Sequence, residues 1–533
     1  MQGSNPWWRD ATVYQIYPRS FQDSDGSGTG DIKGITQRLD YLSETLGVDT
    51  LWLSPVQKSP QADFGYDISD YCSIDPLFGT MEDFKELLAG AHARKMRLIL
   101  DGVFNHTSDR HPWFLESRSS AGSPKRDWYI WRGGKHPPNN WGAVFGGSAW
   151  TRDPSSGESY LNSFSPAQPD LNWRNPEVVE AVLESMRFWL ELGVDGFRLD
   201  VFNCYFKDGD LRSNPARRDP VGLLGGLAYP FIGQEHVYDR DQPEMLAALG
   251  RMRSLADRYG ALLVGETLDE RFTYRQAAGY CGAGRLQLAF HFGLLHARWG
   301  ARSFHAAIRE WTADLPEDGW PTWVLSNHDF PRHASRWGGR DADARARLLA
   351  LLLCTLRGTP FLYYGEELGM REARLPRRRI VDPPGRRYWP FYRGRDGCRT
   401  PMQWDSSHGA GFSRGEPWLP LGRDAGSRNV ESQLGDPGSV LAGYREAIAL
   451  RKKLPALRQG EMDLLPPQGE VLSWLRRTPG ETLCIALNMS AATAGWESPG
   501  ELLYSSLGRQ GGSLAPYEGR ILKLERPPSS EEG

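Results

Sequence analysis

The stretch Gly196-Phe197-Arg198-Leu199-Asp200 decides how this sequence of 533 residues is interpreted. It follows a helical pattern and has the composition of a short buried strand that ends in a cation and a carboxylate. Because side chains two positions apart on a strand share a face, Arg198 and Asp200 are expected to point the same way. A cation lowers the pKa of a neighbouring carboxyl group and keeps it ionised, which suits a nucleophile. We therefore predict an ionised Asp200 at a strand end, with partners supplied by other strands.

Seven other short runs of apolar and β-branched residues alternate with helical patterns along the chain. The run at 97–103 contains Leu98-Ile99-Leu100, and an unbroken apolar run is typical of parallel strands covered on both faces. Between the runs, apolar residues recur every three or four positions, which predicts helices such as 81–95 with Thr80 as its N-cap. The eight predicted strands are residues 13–17, 50–53, 97–103, 196–199, 262–265, 286–290, 323–325 and 361–364.

Eight strands that alternate with helices predict an α/β fold, the (β/α)8 or TIM barrel. The alternative is a doubly wound open sheet. Residues 107–170 are rich in Gly, Pro, Asn and Trp and are too many for an ordinary loop, which predicts a small domain B inserted after strand 3. Short alternating runs after Pro455 predict a C-terminal antiparallel β-domain. We therefore predict a barrel of residues 1–106 and 171–454, an inserted domain 107–170 and a β-domain 455–533.

The composition argues against several classes of function. The 63 basic and 66 acidic residues nearly balance, so we expect no attraction to nucleic acid or to an anionic membrane surface. No run of about 18 apolar residues occurs, and the first ten residues lack an apolar signal segment, so no membrane partner is expected. The six cysteines are scattered without a C-x-x-C pair, which indicates a reducing compartment. We predict a cytoplasmic protein that is a monomer or a small homo-oligomer.

Three acidic residues follow three different predicted strands: Asp200, Glu266 and Asp329. The carboxyl ends of barrel strands meet at one rim, so these carboxyl groups are expected to converge. A single acid at a strand end is more often a cap or a loop hydrogen bonder, but their joint placement indicates glycoside chemistry, which needs one neutral and one ionised carboxyl group. Asp200 beside Arg198 suits the nucleophile. Glu266, among other acids, suits the general acid/base, which leaves Asp329 to hold sugar hydroxyls.

Four segments around these acids form a recognisable set: residues 101–106, 196–200, 265–266 and 326–329. With these segments in this order, the sequence resembles the α-amylase family of glycoside hydrolases (family 13), and within it the oligo-1,6-glucosidase and α-glucosidase branch. The resemblance implies a retaining mechanism in which Asp200 carries a covalent glucosyl intermediate and Glu266 is the acid/base. Asp329 would be the third acid of the family.

The resemblance also implies a blind pocket for one terminal glucose of a small saccharide. Asp63 and Arg399 would hold the sugar hydroxyls and close the pocket, and Tyr66 would stack under the ring. Further residues that would contact the sugar or wall the mouth of the pocket are His106, Arg198, His328, Phe145 and Phe164. Such a pocket predicts release of α-linked glucose from the non-reducing end of short oligosaccharides or disaccharides.

Val201, the residue after Asp200, bears on the linkage that is cleaved. In relatives, Val at this position accompanies α-1,6 linkages, whereas Ala or Thr accompanies α-1,4 linkages. A β-branched side chain narrows the space beside the nucleophile, which is a plausible physical reason. We therefore expect α-1,6 specificity or broad use of short substrates.

The loop at 23–31 places oxygen-bearing side chains at alternate positions, like the start of an EF-hand. The EF-hand pattern has Glu at position twelve, where this chain has Gly34. Relatives bind calcium or magnesium in this loop, commonly with Asp where this chain has Ser27. The candidate ligands of a structural Ca2+ or Mg2+ are Asp23, Asp25, Ser27, Thr29 and Asp31. A metal-free turn is the alternative, and no organic cofactor is expected.

Two other functions compete with hydrolysis. A transglucosylase, or a sucrose isomerase that forms trehalulose or isomaltulose, shares the glucosyl-enzyme and differs in the acceptor. The basic residues near Arg336 and Arg340 do not form the isomerase motif expected there. A non-catalytic binding partner of the same fold would have lost catalytic acids, whereas this chain keeps all three.

Overall fold

The computed structural model describes residues 6–226, 229–269 and 275–525. Eight parallel strands, named β1 to β8, form the central sheet of this part of the chain. They are β1 (Val13–Ile16), β2 (Thr50–Leu53), β3 (Arg97–Gly102), β4 (Gly196–Leu199), β5 (Leu262–Gly265), β6 (Leu288–Ala289), β7 (Thr322–Val324) and β8 (Thr359–Tyr363).

The strands follow one another around the sheet in chain order, and the first strand pairs with the last. β1 lies between β2 and β8, so Val13 is opposite Thr50 on one side and Phe361 on the other. Between β6 and β7 the seam is spanned by Thr322, whose hydroxyl donates to the carbonyl oxygen of Ala289 at 2.7 Å. The predicted barrel is confirmed, because an open sheet would not bring β1 and β8 together.

In the described part of the chain, seven helices named α1 to α7 cover the outside of the barrel. They are α1 (Ile32–Gln37), α2 (Met81–Ala93), α3 (Pro176–Leu192), α4 (Met245–Arg258), α5 (Ala301–Asp314), α6 (Ala342–Thr355) and α7 (Val440–Lys453). The predicted cap of α2 is present: the Thr80 hydroxyl accepts from the Asp83 amide, and the Asp83 carboxylate accepts from the Thr80 amide. α1 ends at Gln37, and a separate π-helical turn, Tyr41–Leu46, follows it.

Shorter helical segments lie in the loops. The α-helical ones are Trp7–Asp10, Pro18–Phe21, Pro112–Ser119, Pro220–Gly225, Arg275–Gly279, Gly293–His296, His333–Arg336, Pro383–Arg387, Val430–Leu434 and Pro455–Gln459. The 3-10 turns are Arg126–Trp128, Phe202–Cys204, Pro230–Gly233, Glu366–Leu368, Arg377–Arg379 and Asp396–Cys398. Within the described part of the chain, no helix combines the length and apolarity needed to cross a membrane.

Side chains alternate between the inside of the barrel and the layer under the helices. On β5, Leu262 and Val264 belong to the inner cluster, whereas Leu263 packs in the outer layer. The same alternation on β4 sends Phe197 outward and Arg198 inward, where its guanidinium carbon lies 5.2 Å from the ring centroid of Trp52. The barrel therefore fixes the direction of the Arg198 side chain.

The long segment between β3 and α3 forms a small three-stranded antiparallel sheet. Its strands are Trp131–Arg132, Trp150–Arg152 and Ser159–Leu161. A backbone bridge between His106 and Asp170 joins the two ends of the segment. These bridging residues lie at the predicted domain limits, and the exact boundaries stay a prediction. A further hairpin, Gln57–Lys58 with Asp70–Ile74, follows β2.

The end of the described chain forms the predicted antiparallel β-domain. Its five-stranded sheet contains Glu461–Gln468, Val471–Thr478, Glu481–Asn488, Gly519–Lys523 and Glu501–Ser505, in that spatial order, beside a pair formed by Ala494–Gly495 and Ser513–Leu514. The domain is fastened to the barrel at the end of α6, where Trp474 and Arg476 both donate to the Thr355 carbonyl. Residues 1–5 and 526–533 of the predicted terminal domains lie outside the described residues.

Candidate active site

One buried cation joins three carboxyl groups at the carboxyl ends of neighbouring strands. Arg198 is 1 % exposed, and its Nη1 donates to Asp101 Oδ1 at 2.6 Å and to Asp200 Oδ1 at 2.7 Å. Its Nη2 contacts Glu266 Oε2. Asp101 is the next-to-last residue of β3, Asp200 follows β4 and Glu266 follows β5, so the register of three adjacent strands brings these groups together. The predicted convergence of Asp200 and Glu266 is therefore present in the structure.

The expectation of a lowered Asp200 pKa is wrong. Burial raises the pKa of Asp200 to about 7; Arg198 opposes this rise, and the carboxylates of Asp101, Asp329 and Asp63 add to it. The sequence showed the adjacent cation but not that three other carboxyl groups act on Asp200 through space and raise its pKa. Asp200 is thus ionised only toward neutral and alkaline pH in the free site.

Tyr66 and His328 form the floor beside Asp200. Their rings stack with centroids 5.3 Å apart, and the Tyr66 hydroxyl lies 2.6 Å from His328 Nε2. Burial lowers the pKa of His328 to about 3, so the ring is neutral. Gln15 Nε2 donates to Nδ1 of this ring at 2.7 Å, which places the proton of His328 on Nε2. The Tyr66 hydroxyl can then accept from His328 and donate to Asp101 Oδ2, 3.0 Å away.

Asp329 is held between two arginines. Its Oδ1 accepts from Arg399 Nη2 at 2.9 Å and from Arg395 Nη1 at 3.1 Å. Burial acts to raise the pKa of Asp329, but the guanidinium groups of Arg395 and Arg399 hold it well below its usual range. Asp329 therefore stays ionised under conditions in which Asp200 takes up a proton.

Arg395, and not Arg399, closes the pocket opposite Asp63. Arg395 Nη2 donates to Asp63 Oδ1 at 2.9 Å, and its Nε donates to Asp382 Oδ1 at 2.8 Å. Arg399 is 1 % exposed and turns away to donate to the His328 carbonyl at 2.8 Å. Arg395 and Arg399 are four residues apart in one irregular loop. Their positions in the sequence therefore did not show which of the two side chains lines the pocket.

A cavity of about 580 Å³ opens above Asp200. It is lined by ten of the twelve residues predicted to be catalytic or substrate-binding, whereas Arg198 and Arg399 lie behind the wall. The ten are Asp63, Tyr66, His106, Phe145, Phe164, Asp200, Val201, Glu266, His328 and Asp329. The inserted sheet places Phe145 and Phe164 over the barrel, and the amide of Phe145 donates to the carbonyl of Phe164 at 3.1 Å.

A second set of lining residues, which was not predicted from the sequence, lies in the segments after β3, β4, β6, β7 and β8. They are aromatic or polar side chains that no motif marks: Gln168, Tyr229, Phe292, Phe330, Tyr388, Phe391, Tyr392 and Arg395. Gln168 Nε2 donates to Asp63 Oδ2 at 3.1 Å and so fixes that carboxylate. The sequence feature that could have revealed these residues is the high density of Tyr, Phe and Trp in segments without helical or strand periodicity.

The loop at 23–31 gathers three carboxylates away from the cavity. Carboxylate oxygens of Asp23, Asp25 and Asp31 lie within 4.8 Å of one another. Asp23 also accepts from backbone amides, including that of Gly28 at 2.8 Å. The Ser27 hydroxyl donates to the Thr29 carbonyl at 3.2 Å. An all-oxygen donor set of this kind suits a hard divalent cation such as Ca2+ or Mg2+.

Comparisons with known proteins agree with this geometry. The family described as "Alpha amylase, catalytic domain" matches residues 15–460. The chain is 47 % identical over 511 residues to a "Probable alpha-glucosidase" of Rhizobium meliloti (strain 1021), covering 94 % of this chain and 92 % of the relative. It is 40 % identical over 570 residues to an "Oligo-1,6-glucosidase" of Parageobacillus thermoglucosidasius, covering 98 % and 99 %. The solved structure of the alpha-glucosyl transfer enzyme XgtA superimposes with a TM-score of 0.92 at 43 % identity, covering 98 % and 100 %.

The nearly closed (β/α)8 barrel with carboxyl groups gathered at the ends of its strands and the similarity to these relatives together place the chain in the class of glycoside hydrolases. Together with the match over residues 15–460, they show that the chain belongs to the α-amylase family.

Ionisation of Asp200 should set the acid limb of activity. Since kcat/KM requires the carboxylate and reports the free enzyme, it should fall about tenfold per pH unit below pH 7. The Asp101→Asn variant lacks the negative charge of Asp101, which lowers the pKa of Asp200. The acid limb of the pH profile of kcat/KM should therefore move to lower pH by about one unit. The pH profile of kcat/KM measures this, with Asp40→Asn on the exposed surface as the control. A limb that stays in place or moves upward in Asp101→Asn would contradict the assignment.

Proposed function

We propose that this protein is a retaining, exo-acting α-glucosidase that releases α-linked glucose from the non-reducing end of short saccharides. The observation that carries the proposal is the shared contact of Arg198 with Asp200 and Glu266. Both carboxyl groups lie within reach of one guanidinium group, compatible with the separation of about 5 Å that retaining enzymes use.

The reaction proceeds in two steps on these residues. The Asp200 carboxylate attacks the anomeric carbon while Glu266 gives a proton to the leaving oxygen, which forms a glucosyl-enzyme ester. Glu266, now a carboxylate, takes a proton from water as the water attacks the same carbon and frees Asp200. Asp329 remains ionised beside Arg395 and Arg399 and supplies negative charge and hydrogen-bond acceptors to the oxocarbenium-like transition state.

The pocket explains why one glucose at a time would be released. Asp63 and Arg395 close the end of the cavity through their ion pair, and Gln168 holds Asp63 from the other side. Arg395 is in turn tied to the buried carboxylate of Asp382. A terminal glucose fits against this wall, whereas a longer chain on its non-reducing side has no path past it.

Azide rescue tests the two roles separately. In Asp200→Gly, kcat should fall about a thousandfold or more, and azide should restore turnover with formation of β-glucosyl azide, because it attacks from the vacated face. In Glu266→Ala, azide should attack the glucosyl-enzyme and give the α-glucosyl azide. NMR of the product distinguishes the anomers. Unchanged kcat in Asp200→Gly, or the same anomer from both variants, would refute the assignment.

Val201 supports a preference for α-1,6 linkages or broad specificity. This β-branched residue has a left-handed backbone, with φ of 36°, which such side chains rarely adopt. Its side chain packs with Phe164 and Cys204 at the cavity wall beside the nucleophile. A strained residue at this position is consistent with a shaping role for the next sugar.

A substrate panel tests the linkage. We expect kcat/KM on isomaltose to equal or exceed that on maltose, with trehalose and sucrose compared alongside. Val201→Ala widens the space beside Asp200 and should shift the ratio of isomaltose to maltose toward maltose by about fivefold. Ala248→Gly on α4, which also removes methyl volume but far from the cavity lining, is the control. A ratio that does not move in Val201→Ala would exclude this residue as the determinant.

A transglucosylase or a trehalulose- or isomaltulose-forming isomerase is the second candidate. The structural similarity to an alpha-glucosyl transfer enzyme at 43 % identity supports it. Products from concentrated sucrose or maltose decide the matter: free glucose alone would exclude transfer. A well-folded protein without turnover on the whole panel would instead favour a non-catalytic binding partner.

We further propose that the loop at 23–31 holds a structural Ca2+ or Mg2+ through Asp23, Asp25, Asp31 and oxygens of Ser27 and Thr29. The ion would cross-link the loop and would supply no step of the reaction, because these residues do not line the cavity. The buried carboxylates of Asp23 and Asp31 support the proposal.

Chelation tests the metal. Removal of the ion should lower the melting temperature by about 4 °C and readdition of calcium should restore it, since a ligand that binds only the folded state stabilises it. Asp25→Asn should abolish the response to chelator, whereas Asp40→Asn should keep it. If the wild-type protein melts at the same temperature with and without chelator, and elemental analysis finds no metal, the metal site is refuted. The loop at 23–31 is then a metal-free turn.

We also propose that the protein works in the cytoplasm as a monomer or a small homo-oligomer. All six cysteines are free thiols, and five of them are buried, which suits a reducing compartment. Light scattering of the purified protein and fractionation of cells would test the two statements.

A further inference from the structure

The loop at 377–393 combines exposed arginines with an exposed aromatic tip beside the mouth of the cavity. We propose that this loop docks the protein on a membrane surface that contains anionic phospholipids. Docking of this kind needs no turnover, so it is independent of the proposed function.

A strong local excess of positive charge lies in this part of the chain. Residues 371–395 contain nine arginines and two acidic residues, whereas the whole chain has 63 basic and 66 acidic residues. Asp382 is buried and Glu372 is half-buried, so neither acid offsets the arginines at the surface. The expectation of no attraction to an anionic surface rests on the total charge, which hides this local excess. The exposed arginines are Arg371, Arg374, Arg377, Arg378, Arg379, Arg386, Arg387 and Arg393.

Most of these exposed arginines have no acidic partner. Arg379 lies 3.2 Å from Glu416, and Arg371 lies 4.0 Å from Asp343. Unpaired guanidinium groups at a surface are attracted to a layer of anionic head groups, and each one adds to the attraction. The cytoplasmic leaflet of a membrane carries such a layer, which fits the proposed cytoplasmic location. Within the part of the chain that the structure describes, the arginines without an ion pair are Arg374, Arg377, Arg378, Arg386, Arg387 and Arg393.

The tip of the loop is apolar and protrudes from the surface. Phe391 is 97 % exposed, Tyr392 is 43 % exposed and Pro390 is also exposed. The guanidinium carbon of Arg393 lies 5.3 Å from the ring centroid of the neighbouring Trp389. Aromatic rings flanked by basic residues are typical of segments that lie at the interface of a bilayer. There the rings enter the boundary of the acyl chains while the cations contact the head groups.

Contacts within the protein hold the loop in one shape. Its two ends are joined because Asp382 accepts from Nε of Arg395 at 2.8 Å and from the Arg395 amide at 3.1 Å. Trp389 packs against the apolar cluster that contains Ile380, which sets the aromatic tip beside the arginines of residues 377–379. Because the loop is already ordered, docking loses little conformational entropy.

The protruding tip favours a bilayer over a linear polyanion such as RNA. Proteins that bind single strands combine a basic groove with aromatic rings on which the bases stack. A ring that stands out of the surface, as Phe391 does, is buried only by a partner soft enough to admit it. The arginines alone would suit any polyanion, so Phe391 is the residue that identifies a lipid surface. Because Phe391 and Tyr388 line the mouth of the cavity, docking turns the mouth toward the membrane.

Flotation with vesicles tests the docking. The full chain is mixed with vesicles of equal parts phosphatidylglycerol and phosphatidylcholine, or of phosphatidylcholine alone, and the bound fraction is measured on a density gradient. We expect binding to the first kind of vesicle and none to the second. The apparent Kd should rise severalfold between low salt and about 0.15 M salt, because salt screens the charges. A protein that does not float with the anionic vesicles at low salt, or that floats equally with the neutral ones, would overturn the proposal.

Two variants separate the two parts of the loop. The double variant Arg377→Gln/Arg378→Gln removes two unpaired charges and should raise the apparent Kd for the anionic vesicles by about tenfold or more. Phe391→Ala removes the protruding ring and should raise this Kd by about fivefold or more, because less apolar area enters the bilayer.

Matched control variants lie elsewhere on the barrel. Arg302→Gln/Arg309→Gln removes the same charge from exposed positions on α5, and Phe188→Ala removes an exposed ring from α3. Both should bind the anionic vesicles as the wild type does. Equal binding by the loop variants and the controls would overturn the assignment of docking to the loop. Binding that Phe391→Ala leaves unchanged and that single-stranded RNA displaces would overturn the lipid surface as the partner.

Discussion

The buried guanidinium of Arg198 is the interaction on which the rest of the site depends. A fully buried cation is costly unless it is paired, and here the carboxyl groups of Asp101, Asp200 and Glu266 compensate it. Those three groups come from three adjacent strands, so the site exists only when the barrel registers correctly. In return, the cation holds the carboxyl groups of Asp200 and Glu266 close to each other. Fold and chemistry are therefore linked through a single side chain.

The site contains more carboxyl groups than its arginine side chains can neutralise, and this imbalance determines the pKa values of the carboxyl groups. Asp200 is buried and Asp329 is half-buried, and their pKa values move in opposite directions. Burial dominates at Asp200, whereas Asp329 sits against two guanidinium groups. The difference gives one cavity a group, Asp200, that takes up a proton near neutral pH and another, Asp329, that stays ionised.

Much of the fold and part of the site were predictable from the sequence. Strands such as β2, β4 and β5 have the predicted limits, because short apolar runs between helical patterns leave few alternatives. Acids at strand ends were found for the same reason. Arg395 was missed because it lies in an irregular loop whose path depends on tertiary contacts with Asp382. The direction of the Asp200 pKa was mistaken because sequence neighbours show an adjacent charge and do not show burial.

The bridge between His106 and Asp170 has a consequence for how such enzymes diversify. Because the two ends of the inserted segment meet, the segment leaves and rejoins the barrel at almost one point. Another sequence can replace this segment as a unit with little change to the strands beneath it. The inserted segment carries Phe145 and Phe164, but it contains none of the acids Asp200, Glu266 and Asp329. Sequence changes in the inserted segment can therefore alter the upper wall of the cavity without changing the barrel residues at its base.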